Sequence, residues 1–590
     1  MSVTSLDHNS SDHFFESKVL GHPSGLFVLF FTEMWERFSF YGMRVLLINF
    51  LTMAILGDNP GWGWSAENAG ALYGTYAMLL YITPIFGGII ADRYIGYRWA
   101  VVVGALIMTL GHACMAVDSP SMLYAGLGLL VIGTGFFKPN MTSILSEMYK
   151  AFPEKKDGAY TIFYMGVNAG AFFGMMLCGY LAEKVGWHWG FGLAGIFMLL
   201  GTLQFWLAKP LFGSLGDVPS RAAQREEAAA AKASTKEEDQ RNPFTLVDKI
   251  LIVVTTFIGL LYAFNDPLSK IGNVNLFPFE VGSWSGQNFS VLVALILFLF
   301  LVISRMLRYT QVIKHRMIAV IIFAFFTVFF WMSFEQGASS LVIFARDNVD
   351  RTLEGSALDM FNIINTLLTI IPLLIITWVL FLLGKQTWNR IPLSNVVLAI
   401  CFLSVWAVAI WMLYMEFTAT TSEITVSWFS ILNSFFIIAF ASTVSKLWDS
   451  KYNPPAAVKY GMGLIIMAIG FGLLAYGSHG VAEGVKVSMV WLVLAYLFHT
   501  LGELCLSPVG LSYVSKLVPG RMIAFMFGMW YLAIAIGNKL AAILGGQIEN
   551  ITSTYSLSTF FLIFTIVPTV AGLIVMALNP ILKKLMHGVR

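Results

Sequence analysis

Charge is what this sequence has least of. Asp, Glu, Lys and Arg make up 12% of its 590 residues, where a soluble domain carries about 25%. That excludes an ordinary soluble fold. The net charge of +3 is too small to indicate a nucleic-acid partner. Cysteine is scarce too. Cys114, Cys178, Cys401 and Cys505 all fall inside apolar runs without paired spacing, so neither a disulfide framework nor a metal site is expected. The first 25 residues are polar and lack the charged-then-apolar layout of a cleaved signal peptide. The first apolar run is therefore expected to be retained.

What the chain does have is apolar length. It is 57% hydrophobic, and many runs exceed about 18 residues, enough to cross a bilayer as a helix. The runs are unbroken rather than alternating, which excludes a membrane barrel. The reading is an all-α polytopic membrane protein with about sixteen spans: 26–56, 68–95, 98–117, 121–148, 157–182, 188–211, 246–264, 288–308, 317–344, 357–384, 394–416, 425–448, 458–477, 487–515, 521–546 and 556–582. Lys and Arg test the count. Most fall after even-numbered spans or at the C-terminus, as at Lys150, Lys155, Arg221, Arg225, Lys232, Lys236, Arg305, Lys385, Lys446, Arg521 and Lys583. Segments 57–67 and 118–121 have none; Arg346 and Arg351 are the main exceptions. The positive-inside rule then puts both termini in the cytoplasm.

One clear soluble insertion, 213–243, is Ala- and charge-rich. It reads as a cytoplasmic linker after six spans, dividing a tail (1–25) and an N-terminal six-helix bundle (26–212) from the rest. Six-helix halves are the layout of major facilitator transporters. The stretch "GGIIADRYIGYR", 87–98, resembles the turn between the second and third spans of that superfamily, with Gly88, Asp92, Arg93 and Gly96.

A charge at mid-bilayer costs roughly 2.5–3.5 kcal/mol on insertion scales, so it must face a partner or a water-filled path. Glu33, Glu36 and Arg37 share one helix face at spacings of three and four, continued by Tyr41 and Arg44. A rise of about 1.5 Å per residue puts Arg37, Lys138, Asn168, Glu503 and Asn433 about 15–22 Å from the cytoplasmic end of their spans. Arg44 and Glu335 both lie about 27 Å out. The midplane layer has bases on the N-terminal side and Glu503 on the C-terminal side. A cavity between such walls suits a small zwitterion. Tyr41, Tyr81, Tyr164, Trp331 and Trp530 lie at depths that could line side-chain pockets. Seven membrane charges on four helices exceed what helix locking needs. Lone His499, one turn before Glu503, reads as packed. Pro139 after Lys138, and Pro508 after Glu503, favour kinks.

Together these stretches resemble the proton-dependent oligopeptide transporters. "EMWERFSFYG" (33–42) looks like their ExxER signature, and "GTGFFKPN" (133–140) like their span-four lysine motif. "FYMGVNAGAFFG" (163–174) is similar to the span-five signature. "FWMSFEQGASSL" (330–341), "SWFSILNSFFII" (427–438) and "LGELCLSPVGLS" (501–512) resemble segments of the family's seventh, eighth and tenth helices. The resemblance implies the major facilitator fold: two six-helix bundles plus a two-helix connector, here 246–310 after a linker 213–245. The C-terminal bundle would span 316–585 and carry an inserted hairpin, 357–416, absent from the usual bacterial members. That hairpin is expected outside the C-terminal bundle or at an oligomer contact. A further departure is Gly74, where some members carry a histidine.

The implied roles follow residue by residue. Arg37 and Lys138, with Tyr41, Tyr81 and Asn168, would hold a peptide carboxylate and backbone. Glu503, helped by Asn433, would take the amino group. Tyr164, Trp331, Ser507 and Trp530 would complete the substrate site. Glu33, Glu36 and Glu335 would couple protons, and Arg44 with Glu335 would form an outer gate. The expected function is symport of di- or tripeptides with protons into a bacterial cell across the inner membrane, with no cofactor beyond the proton gradient. Transport of amino acids, nitrate or peptide-like drugs, or a non-transporting sensor, are the alternatives. No nucleophile–base pair or metal cluster suggests an enzyme.

Overall fold

The computed structural model describes residues 17–150, 152–218, 244–482, 484–517 and 523–588. Most of the linker, with Arg221, Arg225, Lys232 and Lys236, most of the N-terminal tail, and Arg521 lie outside the described residues, as does the Pro508 side chain.

Sixteen long helices appear among the described residues, close to the expected spans. They are α1 (Ser24–Thr52), α2 (Ala66–Ile90), α3 (Tyr97–Met115), α4 (Pro120–Met148), α5 (Lys156–Lys184) and α6 (Trp187–Leu207). Next come α7 (Leu246–Ile271), α8 (Gly286–Met306), α9 (Gln311–Phe334), α10 (Gly355–Thr387) and α11 (Pro392–Thr418). The last five are α12 (Val426–Asp449), α13 (Ala456–Gly477), α14 (Met489–Leu517), α15 (Ile523–Gly545) and α16 (Leu557–Ala577). Among the described residues fifteen segments are long and apolar enough to cross a membrane. The sixteenth, α1, misses that description because it carries Glu33, Glu36, Arg37 and Arg44. The chain is an integral membrane protein.

Helix ends follow local chemistry. Pro120 and Pro392 occupy first turns, where a missing N–H costs nothing. Thr245 and Asp248 form a reciprocal capping box that opens α7. Two expectations are refined. The 87–98 segment is less a turn than a continuation. A single π turn, Ala91–Ile95, extends α2, and Gly96, at φ +77°, reverses the chain directly into α3. The ninth span is not continuous either. α9 stops at Phe334, a 3-10 turn covers Glu335–Ala338, and a short helix resumes at Ser340. Gln336 holds this break by donating to Met332 O and Ala541 O.

The helices form two compact units. The first comprises 1–62, 82–220 and 344–438; the second comprises 63–81, 221–343 and 439–590. The division falls inside α2 and inside α12, so each of these helices contributes to both.

In the first unit α1 is the core, buried along nearly its whole length. α5 reaches it through glycines. A Cβ on Gly170 or Gly174 would overlap Met34 O or Phe38 O, and one on Gly166 would meet Phe30 O at 2.9 Å. Small residues four apart let two membrane helices touch backbone to backbone. This explains the glycines of "FYMGVNAGAFFG" as packing residues.

The inserted hairpin corrects an expectation. α10 and α11 pack on the N-terminal bundle, not outside the C-terminal one. Ser394 Oγ donates to Gln204 O at 2.8 Å, and the Phe402 ring sits 5.5 Å from Phe31 and 5.4 Å from Trp35. The partner faces were apolar in either bundle; only the geometry chooses between them. Arg346 and Arg351, which broke the charge alternation, are paired. Arg346 binds Asp347 and donates to Thr52 Oγ1, while Arg351 binds Glu423 at 2.7 Å.

In the second unit α13 packs on α14 and α16 by the same glycine device, Gly463 against Gly502 O and Gly461 against Gly572 O. The connector helices α7 and α8 belong to this unit. Asp248 joins them by binding Arg305 at 3.1 Å and Arg308 at 2.6 Å.

Candidate functional site

The first unit gathers most of the expected basic wall. Arg37 Nε donates to Glu33 Oε1 at 2.8 Å, and Glu36 Oε2 stands 2.9 Å from the same nitrogen. The two acids differ. Glu33 accepts a hydrogen bond. Glu36 is 0% exposed, and neither of its oxygens has a hydrogen-bond partner among the described residues. Its contact with Arg37 is an ion pair by distance but not a hydrogen bond by angle. A buried carboxylate without hydrogen bonds carries a desolvation cost that its neighbour Glu33 offsets with a bond. Glu33 stands four residues before Arg37, on the same helix face, whereas Glu36 is its chain neighbour and points off that face, which is why only Glu33 aligns with the guanidinium.

Lys138, beside Pro139 in α4, lies within electrostatic reach of Arg37, Glu36, Glu33 and Arg44. The helix carries the proline through without ending. Farther along α1 the Arg37 guanidinium faces Phe40, and that of Arg44 faces Tyr41, each 5.7 Å from the ring centre. In α5 Asn168 is buried and donates to Tyr164 O at 3.0 Å. The Tyr164 side chain itself is 52% exposed. Asn433, on the first half of α12, belongs to this unit. Sequence reasoning missed what positions that half-helix: Glu183, at the end of α5. Its carboxylate accepts from Val426 N at 2.8 Å and Ser427 N at 3.0 Å. A carboxylate on the open N–H groups of a helix start is stabilising.

The other expected residues belong to the second unit: Tyr81, Trp331, Glu335, Glu503, Ser507 and Trp530. Tyr81 lies 6.4 Å from the Tyr531 ring. Trp331 is edge-on to Phe334 at 5.4 Å, with Gly537 giving it room. Trp530 is buried beside Tyr460, whose hydroxyl bonds Thr327 Oγ1 at 2.6 Å. Glu335 is the first residue of the break after α9 and is buried. Arg44 and Glu335 thus belong to different units. His499 is packed as expected, its ring centre 4.3 Å from that of Phe471. Among the described residues no group of three His, Cys, Asp or Glu could hold a metal.

Sequence reasoning also missed a second buried charge cluster, Lys539 with Asp266. Lys539 was visible as a lysine inside the apolar run of α15. Asp266 was not, because α7 runs about two turns past its expected end at 264.

Comparison with known proteins agrees with this architecture. The peptide transporter YePEPT of Yersinia enterocolitica is 29% identical over 539 residues, covering 90% of this chain and 88% of its own. The di-/tripeptide transporter of Lactococcus lactis subsp. cremoris is 27% identical, covering 98% and 99%. A crystal structure of a peptide transporter POT in complex with sulfate superposes with a TM-score of 0.69 at 27% identity, again covering 98% and 99%. The sequence pattern of the POT family matches residues 98–413 and 396–563, and the chain belongs to that family.

Proposed function

We propose that this protein imports di- and tripeptides together with protons by alternating access. The observation that carries the reading is the Glu33–Arg37–Glu36 cluster: one buried guanidinium, one acid bonded to it, and one acid beside it without a hydrogen bond. A proton on Glu36 removes its claim on Arg37, which can then bind a peptide carboxylate with help from Lys138. Loss of the proton restores the acid's pull and loosens the carboxylate. The Glu36 and peptide carboxylates thereby compete for one arginine, and the proton, by neutralising Glu36, cooperates with the peptide. Glu503, helped by Asn433, takes the peptide amino group; Tyr41, Tyr81 and Asn168 hold its backbone. Tyr164, Trp331, Ser507 and Trp530 shape the side-chain pockets. Glu335 is a further proton carrier and, with Arg44, the outer gate.

Relatives named as di-/tripeptide transporters support the substrate class. The site lies in the inner membrane of a bacterium, with both termini cytoplasmic. A small amino acid is the second reading, supported by a POT family structure bound to 5-aminolevulinic acid at 25% identity and TM-score 0.69. Nitrate has no amine for Glu503 and fits less well. The chemistry asked of these groups is binding and proton transfer, with no bond of the cargo broken and no cofactor beyond the gradient. Uptake of labelled dialanine into proteoliposomes, with and without an inward proton gradient, is the test. Gradient-driven accumulation is expected; its absence, or full activity in Glu503→Gln and Lys138→Ala, refutes the proposal.

A further inference from the structure

The connector helix α7 does more than join bundles. Its Asp266 forms a buried ion pair with Lys539 of α15, 2.5 Å from Nζ to Oδ2. Lys270, one turn on, binds Asp266 Oδ1 at 3.0 Å and Glu67 Oε1 at 3.1 Å. Two acids and two bases balance. Lys539 and Asp266 are only 3% and 5% exposed.

Both helices use this cluster to hold one edge of α2, the residues Glu67, Ala71 and Thr75, spaced by four. Lys539 Nζ also donates to Ala71 O at 3.3 Å and Thr75 Oγ1 at 3.0 Å. Thr75 Oγ1 in turn donates to Ala263 O at 2.7 Å. That carbonyl is open for a definite reason: Pro267, four residues on in α7, has no N–H to give it. Gly70 and Gly74 complete the fit. A Cβ on Gly70 would lie 2.6 Å from Ala542 O, and one on Gly74 3.2 Å from Lys539 Cδ.

The remainder of α2 is anchored differently. In the first unit Thr83 Oγ1 donates to Val131 O at 3.0 Å, and Gly87 lies directly on Gly135 O. Both ends of the helix thus pack on backbone through glycine, but only its start is also held by an ionic cluster. The two fastenings are unequal in what release would cost. If α2 left the clasp, Lys539, Asp266 and Lys270 would remain paired with one another. Thr75, Ala71 O and Glu67 on α2 would lose a partner, and on α7 only the neutral carbonyl of Ala263 would. No charge would be stranded in an apolar interior, the expensive outcome of breaking a buried pair.

We propose that α7 and Lys539 form a reversible clasp on the first half of α2, and that transport requires α2 to leave it. Lys539 is then a positioning residue acting through α2, and the connector is a working part of the cycle. The cycle itself rests on the transport reading above.

The test separates the two. In full-length protein in liposomes carrying Ala71→Cys, a membrane-impermeant maleimide is added from the outside. Lys539→Gln is expected to raise the labelling rate at least about fivefold, and Thr75→Val, which leaves every ion pair intact, about twofold. Lys539→Arg should restore the slow rate. Labelling reads the clasp whether or not peptides are carried, so a failed uptake assay leaves this result standing. Dialanine uptake adds a second readout: Lys539→Gln should shift KM and maximal rate unequally, which a mere loss of folded protein would not do. Unchanged labelling in both variants overturns the proposal. So does a Thr75→Val protein that folds, labels slowly and transports normally.

Discussion

Glu36 Oε2 lies 2.9 Å from Arg37 Nε, yet neither Glu36 oxygen accepts a hydrogen bond from the described residues. Proximity without hydrogen bonding distinguishes Glu36 from Glu33, which bonds the same nitrogen. Glu36 is therefore the acid whose charged form is worst served.

Glu36→Gln should keep the site's shape while removing the proton. Gradient-driven dialanine accumulation is expected to fall at least about tenfold, equivalent to about 1.4 kcal/mol. Peptide exchange across liposomes without a gradient should stay within about threefold. Equal loss of both modes would show that Glu36 binds peptide rather than proton.

Lys138→Ala and Glu503→Gln should each remove a charged partner of one peptide end. A hydrogen bond to a charged group contributes about 1.5–3 kcal/mol, so apparent affinity for dialanine should fall roughly 10- to 150-fold. Competition with end-blocked dipeptides checks the assignment. Glu503→Gln should lose its preference for dialanine over the N-acetylated peptide, and Lys138→Ala its preference over the C-amidated one.

The α1–α5 contact should tolerate no side chain. Gly170→Ala and Gly174→Ala place a methyl against Met34 O and Phe38 O, and overpacking costs about 1–3 kcal/mol. Thermal unfolding in detergent should show both variants clearly less stable. Gly259→Ala in α7 is the control: its Cβ would meet nothing within 4 Å, and its unfolding temperature should hold or rise slightly.

The short hairpin before α1 should weaken in acid. His22 Nδ1 bonds the Tyr149 hydroxyl at 2.7 Å. Burial, and then the Lys155 charge, hold the His22 pKa below its ordinary 6.5, and burial pushes the Tyr149 phenol up. The folded hairpin thus prefers neutral imidazole. Its contribution is complete above about pH 6.5 and declines as pH falls toward the lowered value. Amide hydrogen exchange over 18–23 should speed up between pH 7 and 5.5 beyond the intrinsic pH effect, and His22→Phe should abolish the excess.

Much of this protein was legible from apolar length and charge placement. Bilayer crossing requires long apolar helices, so sixteen spans could be counted without a structure. The cost of intramembrane charge singled out Glu33, Glu36, Arg37 and Lys138 for the same reason. The hairpin 357–416 could be found but not placed, because an apolar helix face fits either bundle until Ser394 and Phe402 meet their partners.

What sequence determined was therefore set by solvent: which segments leave water, and which charges must be accounted for once they do. Tertiary structure decided pairing. It showed that Glu33, not Glu36, aligns with Arg37, and that Glu183 starts the helix carrying Asn433. It also showed that Lys539 and Asp266, 273 positions apart, share one buried bond. Spacing of three or four reveals a partner on the same helix; a partner on another helix has no fixed spacing, and only packing brings it into reach.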